Sequence, residues 1–276
     1  MKQQKWKKPN RIEVEYEGQI KKLFKPLFDL AKTFKSHDDI VKALNSMMQS
    51  PTFKRKADEI AKTMATMVYK DGAKDWRDAA RKSSKSKLIY EEVKKEMQGP
   101  IKQTLQDLID RNAMIIRTLP QDISQKVVEH IQSKSTQGMR PEDIAKQIKK
   151  FFPQTTRANA KLIARTETSK ASTALTQARS ENIGIHWYVW MTSKDSRVRN
   201  AHAHMNDVIC NYQDPPQPEV LDNLPSEGAY NAGEIYNCRC YAAPLVDIDD
   251  VKWPHKVHHA GKIQSMTESQ FRKIAG

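Results

Sequence analysis

Long apolar runs, glycine and cysteine are all scarce in this chain, and each scarcity removes a class of protein. The densest apolar stretch lies around Trp187 to Met191, far shorter than the roughly 20 residues that cross a bilayer as a helix, so no membrane partner is expected. With 9 glycines in 276 residues and abundant Lys, Ala, Gln and Glu, the backbone favours helix over sheet. Three cysteines is an odd number that argues against a disulfide framework and for a chain made and kept in a reducing cytoplasm. The N-terminus carries lysines but no apolar segment of a secretory signal; Glu13, Glu15 and Glu17 follow instead, and no export is expected. Also missing are a phosphate-binding glycine loop, a nucleophile elbow, an HExxH pair and the dinucleotide glycine pattern. The chain therefore reads as a non-enzyme.

What it has in excess is positive charge: a net +14 and a pI near 9.5. Such a field attracts polyanions, whether nucleic acid or acidic protein surfaces. Charges of both signs are mixed along most of the chain, and only short clusters such as Lys2, Lys5, Lys7 and Lys8 are one-signed. A hydrophobic fraction of 38% and a mean hydropathy of -0.75 are polar for a globule, which predicts thin, elongated or partner-covered parts.

Up to about residue 134 the pattern is one of successive helices. Ile20, Leu23, Phe24, Leu27, Phe28, Ala31 and Phe34 recur at spacings of three and four, with Pro26 expected to kink or divide the helix. Ser36 and Asp39 resemble a capping box ahead of Ile40, Val41, Leu44, Met47 and Met48. The polar, basic, serine-rich stretch 70–88 predicts a weak helix or a hinge. Gly99 and Pro100 stand in the order of a helix end and a helix start, and Pro120 is expected to break the helix that follows.

Near residue 135 the texture changes. Pro141 opens a short helix expected to end at Pro153, and an alanine-rich helix follows from about residue 157 to 182. Its inward row includes Ala160, Ala164, Glu167, Ala171 and Leu175. Ile185 to Met191 is dense in aromatic and β-branched residues, a strand signal, and its apolar residues on both faces predict burial on both sides. Residues 195–205 suggest a short helix, and 206–236 a long proline-bearing loop of the kind that is usually functional. Cys238 to Ala243 is expected to return as a strand. Residues 247–276, with His255, His258 and His259, read as a polar tail. The expected fold class is α+β, predominantly helical: a helical region at 1–134, a small α+β domain at 135–246, and the tail.

The C-terminal half carries an ordered set of marks: Arg165, Thr166 and Glu167; Gly184 and Trp190; Asp195, Arg197, Arg199 and His202; then Asn237, Cys238, Arg239 and Cys240. In this order they resemble the Mu F-like, or minor head protein, family of tailed bacteriophages, over roughly residues 135–246. The resemblance implies a low-copy virion protein, made in the bacterial host cytoplasm. It would act in head morphogenesis at the portal vertex, with the portal protein and other head proteins as partners.

Taken by themselves, these residues suggest structural roles. Glu167 on an alanine-rich inward face needs a partner, since unpaired burial of charge is costly. Arg197, Arg199 and Arg239 are the candidates, and a pair of Glu167 with Arg239 or Arg197 would lock the long helix onto the strands. Cys238 and Cys240 share a face if extended, and His202 or His204, with Cys210 or Asp195, offers further zinc ligands. Members of the resembled family carry a cysteine pair and a later histidine where this chain has Arg199, His202 and Ile235. That departure leaves His202, Cys238 and Cys240, one short of four, and no cofactor is assigned. Asp195, Asp207 and Asp214 raise a metal-dependent nuclease as an alternative, although only Asp195 lies in the motif. The stronger alternative is sequence-independent binding of double-stranded DNA, which the charge favours. An effector with an added enzyme domain is not expected, because only a short stretch follows Leu245.

Overall fold

Residues 6, 9–33, 36–83 and 85–275 are described by a computed structural model; the lysines at 2, 5, 7 and 8, with Phe34 and Ser84, lie outside them. The fold is α+β and predominantly helical, with one small sheet. Residues group into two compact units. One comprises 11–65 and 107–164; the other comprises 1–10, 66–106 and 165–276. The divisions fall within long helices.

The first unit is helical. It contains α1 (Asn10–Ala31), α2 (His37–Gln49), the start of α3 (Pro51–Ala80), most of α5 (Pro100–Thr136) and the first part of α6 (Pro141–Asn182). Along α1 the buried residues are Ile12, Tyr16, Ile20, Phe24 and Ala31, and the four-residue rhythm of the first four lays one stripe along the helix. Phe24 meets Phe53 edge-on, and Phe28 meets Phe152 in the same way. One polar contact enters this core: the Tyr16 hydroxyl donates to Asn112 Oδ1 at 2.9 Å, and the Asn112 amide donates to the Leu108 carbonyl at 2.8 Å. At the start of α2 the Ser36 amide donates to Asp39 at 3.0 Å.

Pro120 and Pro153 do not end helices as the sequence suggested, and Pro26 does not divide its helix. Pro26, Pro120 and Pro153 all sit inside continuous helices. Each removes one i to i−4 hydrogen bond, a loss of roughly 3 kcal/mol in an isolated helix. Buried residues flank each of them: Phe24 and Ala31, Leu119 and Ile123, Phe152 and Thr156. Tertiary burial on both sides outweighs one lost bond. The stretch 70–88 is helical to Ala80, turns, and resumes as α4 (Ser86–Lys95), followed by a 3-10 turn at Glu96–Gln98.

The second unit carries the sheet: β1 (Trp187–Met191), β2 (Val208–Asn211), β3 (Tyr241–Pro244), β4 (His255–His259) and β5 (Lys262–Met266), in the order β3-β1-β2-β4-β5. All neighbours are antiparallel except β2 and β4, which pair in parallel through Ile209 and Val257. The β4–β5 hairpin turns through Ala260 (φ 52) and Gly261 (φ 73), the two positive φ values a tight two-residue turn requires. The unit also holds the end of α3, α4, the start of α5, the second half of α6 and the short helices α7 (Asn200–His204), α8 (Pro218–Leu221) and α9 (Glu268–Ala275).

β1 is the centre of two cores. Tyr188 and Trp190 face a cluster with Met205, Val208, Tyr212, Tyr230, Cys238 and Cys240, while Trp187 and Val189 face one with Ile209, Val257, Met266 and Phe271. The cover of that second face corrects the polar-tail expectation for 247–276. The segment folds into β4, β5 and α9; Val257, Met266 and Phe271 are buried, and Ile248, Val251, Trp253 and Ile274 pack partly buried against them. Three buried residues spaced over 15 positions make no periodic signal, yet they satisfy the two-sided burial that β1 demands. His258 in the same segment is also buried. No described helix is long and apolar enough to cross a membrane.

Candidate functional site

The marked residues of the C-terminal half converge within the sheet-bearing unit. The second half of α6 supplies Arg165 and Thr166. Arg165 donates to Asn237 Oδ1 at 2.8 Å, and the Asn237 amide donates to Thr166 Oγ1 at 2.9 Å. Asn237 has a φ of 54°, a left-handed conformation that asparagine tolerates better than most residues. The two contacts therefore pin a turn that sets Cys238 in the core and Arg239, its side chain 12% exposed, beside Asp195. The expected strand from 238 begins only at Tyr241, because this turn occupies its first residues. Beneath the loop, Gly233 (φ 93°) lies so close to Thr173, Ser169 and the Cys240 carbonyl that a Cβ would come within 2.6–2.9 Å of them. Only glycine suits both the angle and the space.

Arg239 meets Asp195: its Nη1 lies 3.0 and 2.9 Å from the two carboxylate oxygens. The Arg197 amide donates to Asp195 at 2.9 Å and its guanidinium at 3.3 Å. These bonds, the Arg197 amide first, hold the Asp195 carboxyl down to about 2. Asp195 thus engages both Arg239 and Arg197, two of the arginines the sequence had offered to Glu167. Glu167 itself is buried on α6. Arg199 precedes α7, donates to the Tyr236 carbonyl at 3.2 Å and covers the Tyr236 ring.

α7 sets His202 in the middle of the sheet's inner core. His202, Cys238 and Cys240 are 2%, 3% and 2% exposed, and Nδ1 of His202 lies 3.5 Å from each sulfur. All three ligand atoms fall within 4.8 Å of one another, and no other group of three or more His, Cys, Asp or Glu residues clusters in this way among the described residues. On the far side of the ring, Nε2 is 2.9 Å from the Tyr230 hydroxyl, which donates to Glu219 at 2.6–2.7 Å. Burial, then Glu219, pushes the Tyr230 pKa up, so the phenol keeps its proton. Trp190 packs edge-on against the imidazole. The Cys240 hydrogen bond, with help from His202 and against the cost of burial, draws the Cys238 thiol well below its ordinary value.

Other expected participants lie elsewhere. Cys210 is buried in β2 beside the Val208 carbonyl. His204 pairs with Asp222 at 2.6 Å. Asp207 and Asp214 are outside the cluster, so the nuclease alternative lacks converging carboxylates. The stretch 206–236, expected as a loop, holds β2 and α8; Glu219 on α8 and Tyr230 beyond it went unread because they lie 17 and 28 residues from His202, where no spacing rule links them. A second unread element is Arg179, which grips Glu96 at 2.6 and 3.2 Å and the Tyr69 carbonyl at 3.0 Å, with both charged side chains 3% exposed or less.

Residues 122–243 match the family described as Phage Mu protein F like protein. An uncharacterized protein of Haemophilus influenzae is 35% identical over 136 residues, a match covering 49% of this chain and 28% of that relative. The chain thus spans under a third of the length of the curated relative it matches. No solved structure matches it.

Proposed function

Because residues 122–243 match the family described as Phage Mu protein F like protein, we propose that the chain is a minor head protein of a tailed bacteriophage, acting in head morphogenesis at the portal vertex. The observation that carries this reading is that the family match encloses the whole set of converging residues, from Arg165 to Cys240. Their contacts are those of a scaffold: Arg165 and Thr166 tie the helix to the Asn237 turn, and Arg239 ties that turn to Asp195 in the segment before α7. On this reading the protein is not an enzyme and resides in the virion. Its helical region at 1–134 docks the portal protein or another head protein, offering exposed apolar residues such as Val14 and Met114. The test is quantitative mass spectrometry of purified, nuclease-treated virions and procapsids. A few copies per portal supports the reading; presence in procapsids alone makes the chain an assembly factor; absence from both overturns it.

A second reading, sequence-independent contact with DNA, is favoured by one groove of the helical unit. Lys21, Lys22, Lys25, Lys32, Lys149 and Arg157 line it, with Phe28, Pro153 and one acidic residue, Asp29. Arg157 stacks over the Phe28 ring. Neutralising phosphates releases counterions, so affinity for random duplex should fall steeply with salt. Lys22→Glu and Lys149→Glu should each weaken binding and reduce the salt slope by about 1. Salt-independent binding would remove this role.

A further inference from the structure

We propose that His202, Cys238 and Cys240 bind a divalent ion of the zinc class. The argument starts from protons. The Tyr230 hydroxyl has one proton, and Glu219 as a carboxylate can only accept it. At 2.6–2.7 Å that proton belongs to the Tyr230–Glu219 bond. Tyr230 must then accept from His202, which places the imidazole proton on Nε2, 2.9 Å away. Nδ1 is left with a single lone pair, and that lone pair faces two sulfurs at 3.5 Å each.

One lone pair in the ring plane cannot align with two thiol protons at once, but it can bind one cation that both sulfurs also reach. Zinc bonds of about 2.3 Å to sulfur and 2.0–2.1 Å to nitrogen give a tetrahedral N···S edge of about 3.5 Å, which matches both separations. Cys238 Sγ also accepts the Cys240 amide at 3.3 Å, the role of a sulfur carrying negative charge. The chain from Nε2 through Tyr230 to Glu219 is the outer support that metal-bound histidines generally have, fixing ring orientation and raising ligand basicity. Two sulfurs and an imidazole select a soft or borderline ion over calcium or magnesium. A dication also offsets the negative charge that two thiolates and Glu219 would otherwise leave buried. Three protein ligands leave the fourth position to a water.

The site would fasten the Asn237–Cys240 turn to α7 and so assemble the marked residues around one centre. The inference is independent of the proposed head role and survives its failure.

The test uses the full chain, reduced and folded, with cobalt(II) and zinc(II) as probes. Elemental analysis should find about one zinc per chain, and cobalt should give a thiolate-to-metal charge-transfer band that zinc displaces. Cys238→Ser should abolish the band, while Cys210→Ala should keep it. Should Cys238→Ser fail to fold, Tyr230→Phe gives a second readout: it keeps all three ligands and should weaken zinc affinity by about 10–100-fold against a chromophoric chelator. A folded wild-type chain that takes up no zinc and gives no cobalt band overturns the proposal. So does a chain in which Tyr230→Phe leaves affinity unchanged.

Discussion

The two units of this protein hide their polar groups in opposite ways. Among the described residues of the helical unit the buried polar ones are Asn112, Ser124 and Thr156, all uncharged, while apolar stripes fill the rest of the core. The sheet-bearing unit buries Asp75, Glu96, Glu167, Arg179, His202, Glu219 and His258. An apolar core tolerates volume-conserving exchange. A core of charged and hydrogen-bonded groups is costly to build and costlier to break, because removing one partner strands the other. The helical unit should therefore accept substitutions that the sheet-bearing unit rejects.

The largest expected difference is between two ion pairs. Glu96→Ala leaves Arg179 buried without its carboxylate and should cost about 3–5 kcal/mol in urea denaturation. Asp58→Ala removes an exposed partner of Arg117, whose side chains are 45% and 44% exposed, and should cost less than about 1 kcal/mol. Equal losses would break the comparison. Next come two glycines. Gly233→Ala forces a left-handed residue against Thr173 and Cys240 and should cost about 1–3 kcal/mol. Gly18→Ala, in α1 with nothing within 4 Å of its Cβ position, should stabilise by about 0.4–1 kcal/mol, read as a rise in the thermal midpoint.

Acidification sharpens the comparison with smaller effects. Burial holds the His258 imidazole below 6.5, against the pull of Asp214. Below 6.5 the unfolded chain takes up the proton more readily, so this contribution is complete above pH 6.5 and is lost as pH falls. Asp195 ionises at about 2 when folded, against 3.8 in its ordinary state. Its contribution is complete above pH 3.8 and is lost as pH falls toward 2. Denaturation midpoints followed against pH should step down in both windows. Asp195→Asn should remove the lower step, and His258→Gln the upper one.

Much of the helical architecture was legible because amphipathic helices write their burial at spacings of three and four. Ile40, Leu44, Ile116, Leu119, Ile123 and Val127 fall on core faces as periodicity predicts. β1 was legible for a related reason, since aromatic residues on both of its faces have no other stable place. What periodicity could not convey was continuity through Pro26, Pro120 and Pro153, where burial outweighs a local penalty. Nor could it reveal β4, β5 and α9, whose isolated apolar residues acquire meaning only as the cover of β1.

The candidate site divides along the same line. Motif order by itself marked Arg165, Asp195, His202, Asn237, Cys238, Arg239 and Cys240, and determined that the chain is helical, basic and without a recognised catalytic motif. Tertiary structure alone decided that Asp195 engages Arg239 and Arg197, that His202 turns one nitrogen to two sulfurs, and that Tyr230 and Glu219 stand behind the other. The physical reason is range. Helix propensity and amphipathic spacing act between near neighbours and are written into adjacent residues, whereas a hydrogen bond across dozens of residues exists only once the chain has closed the loop between them.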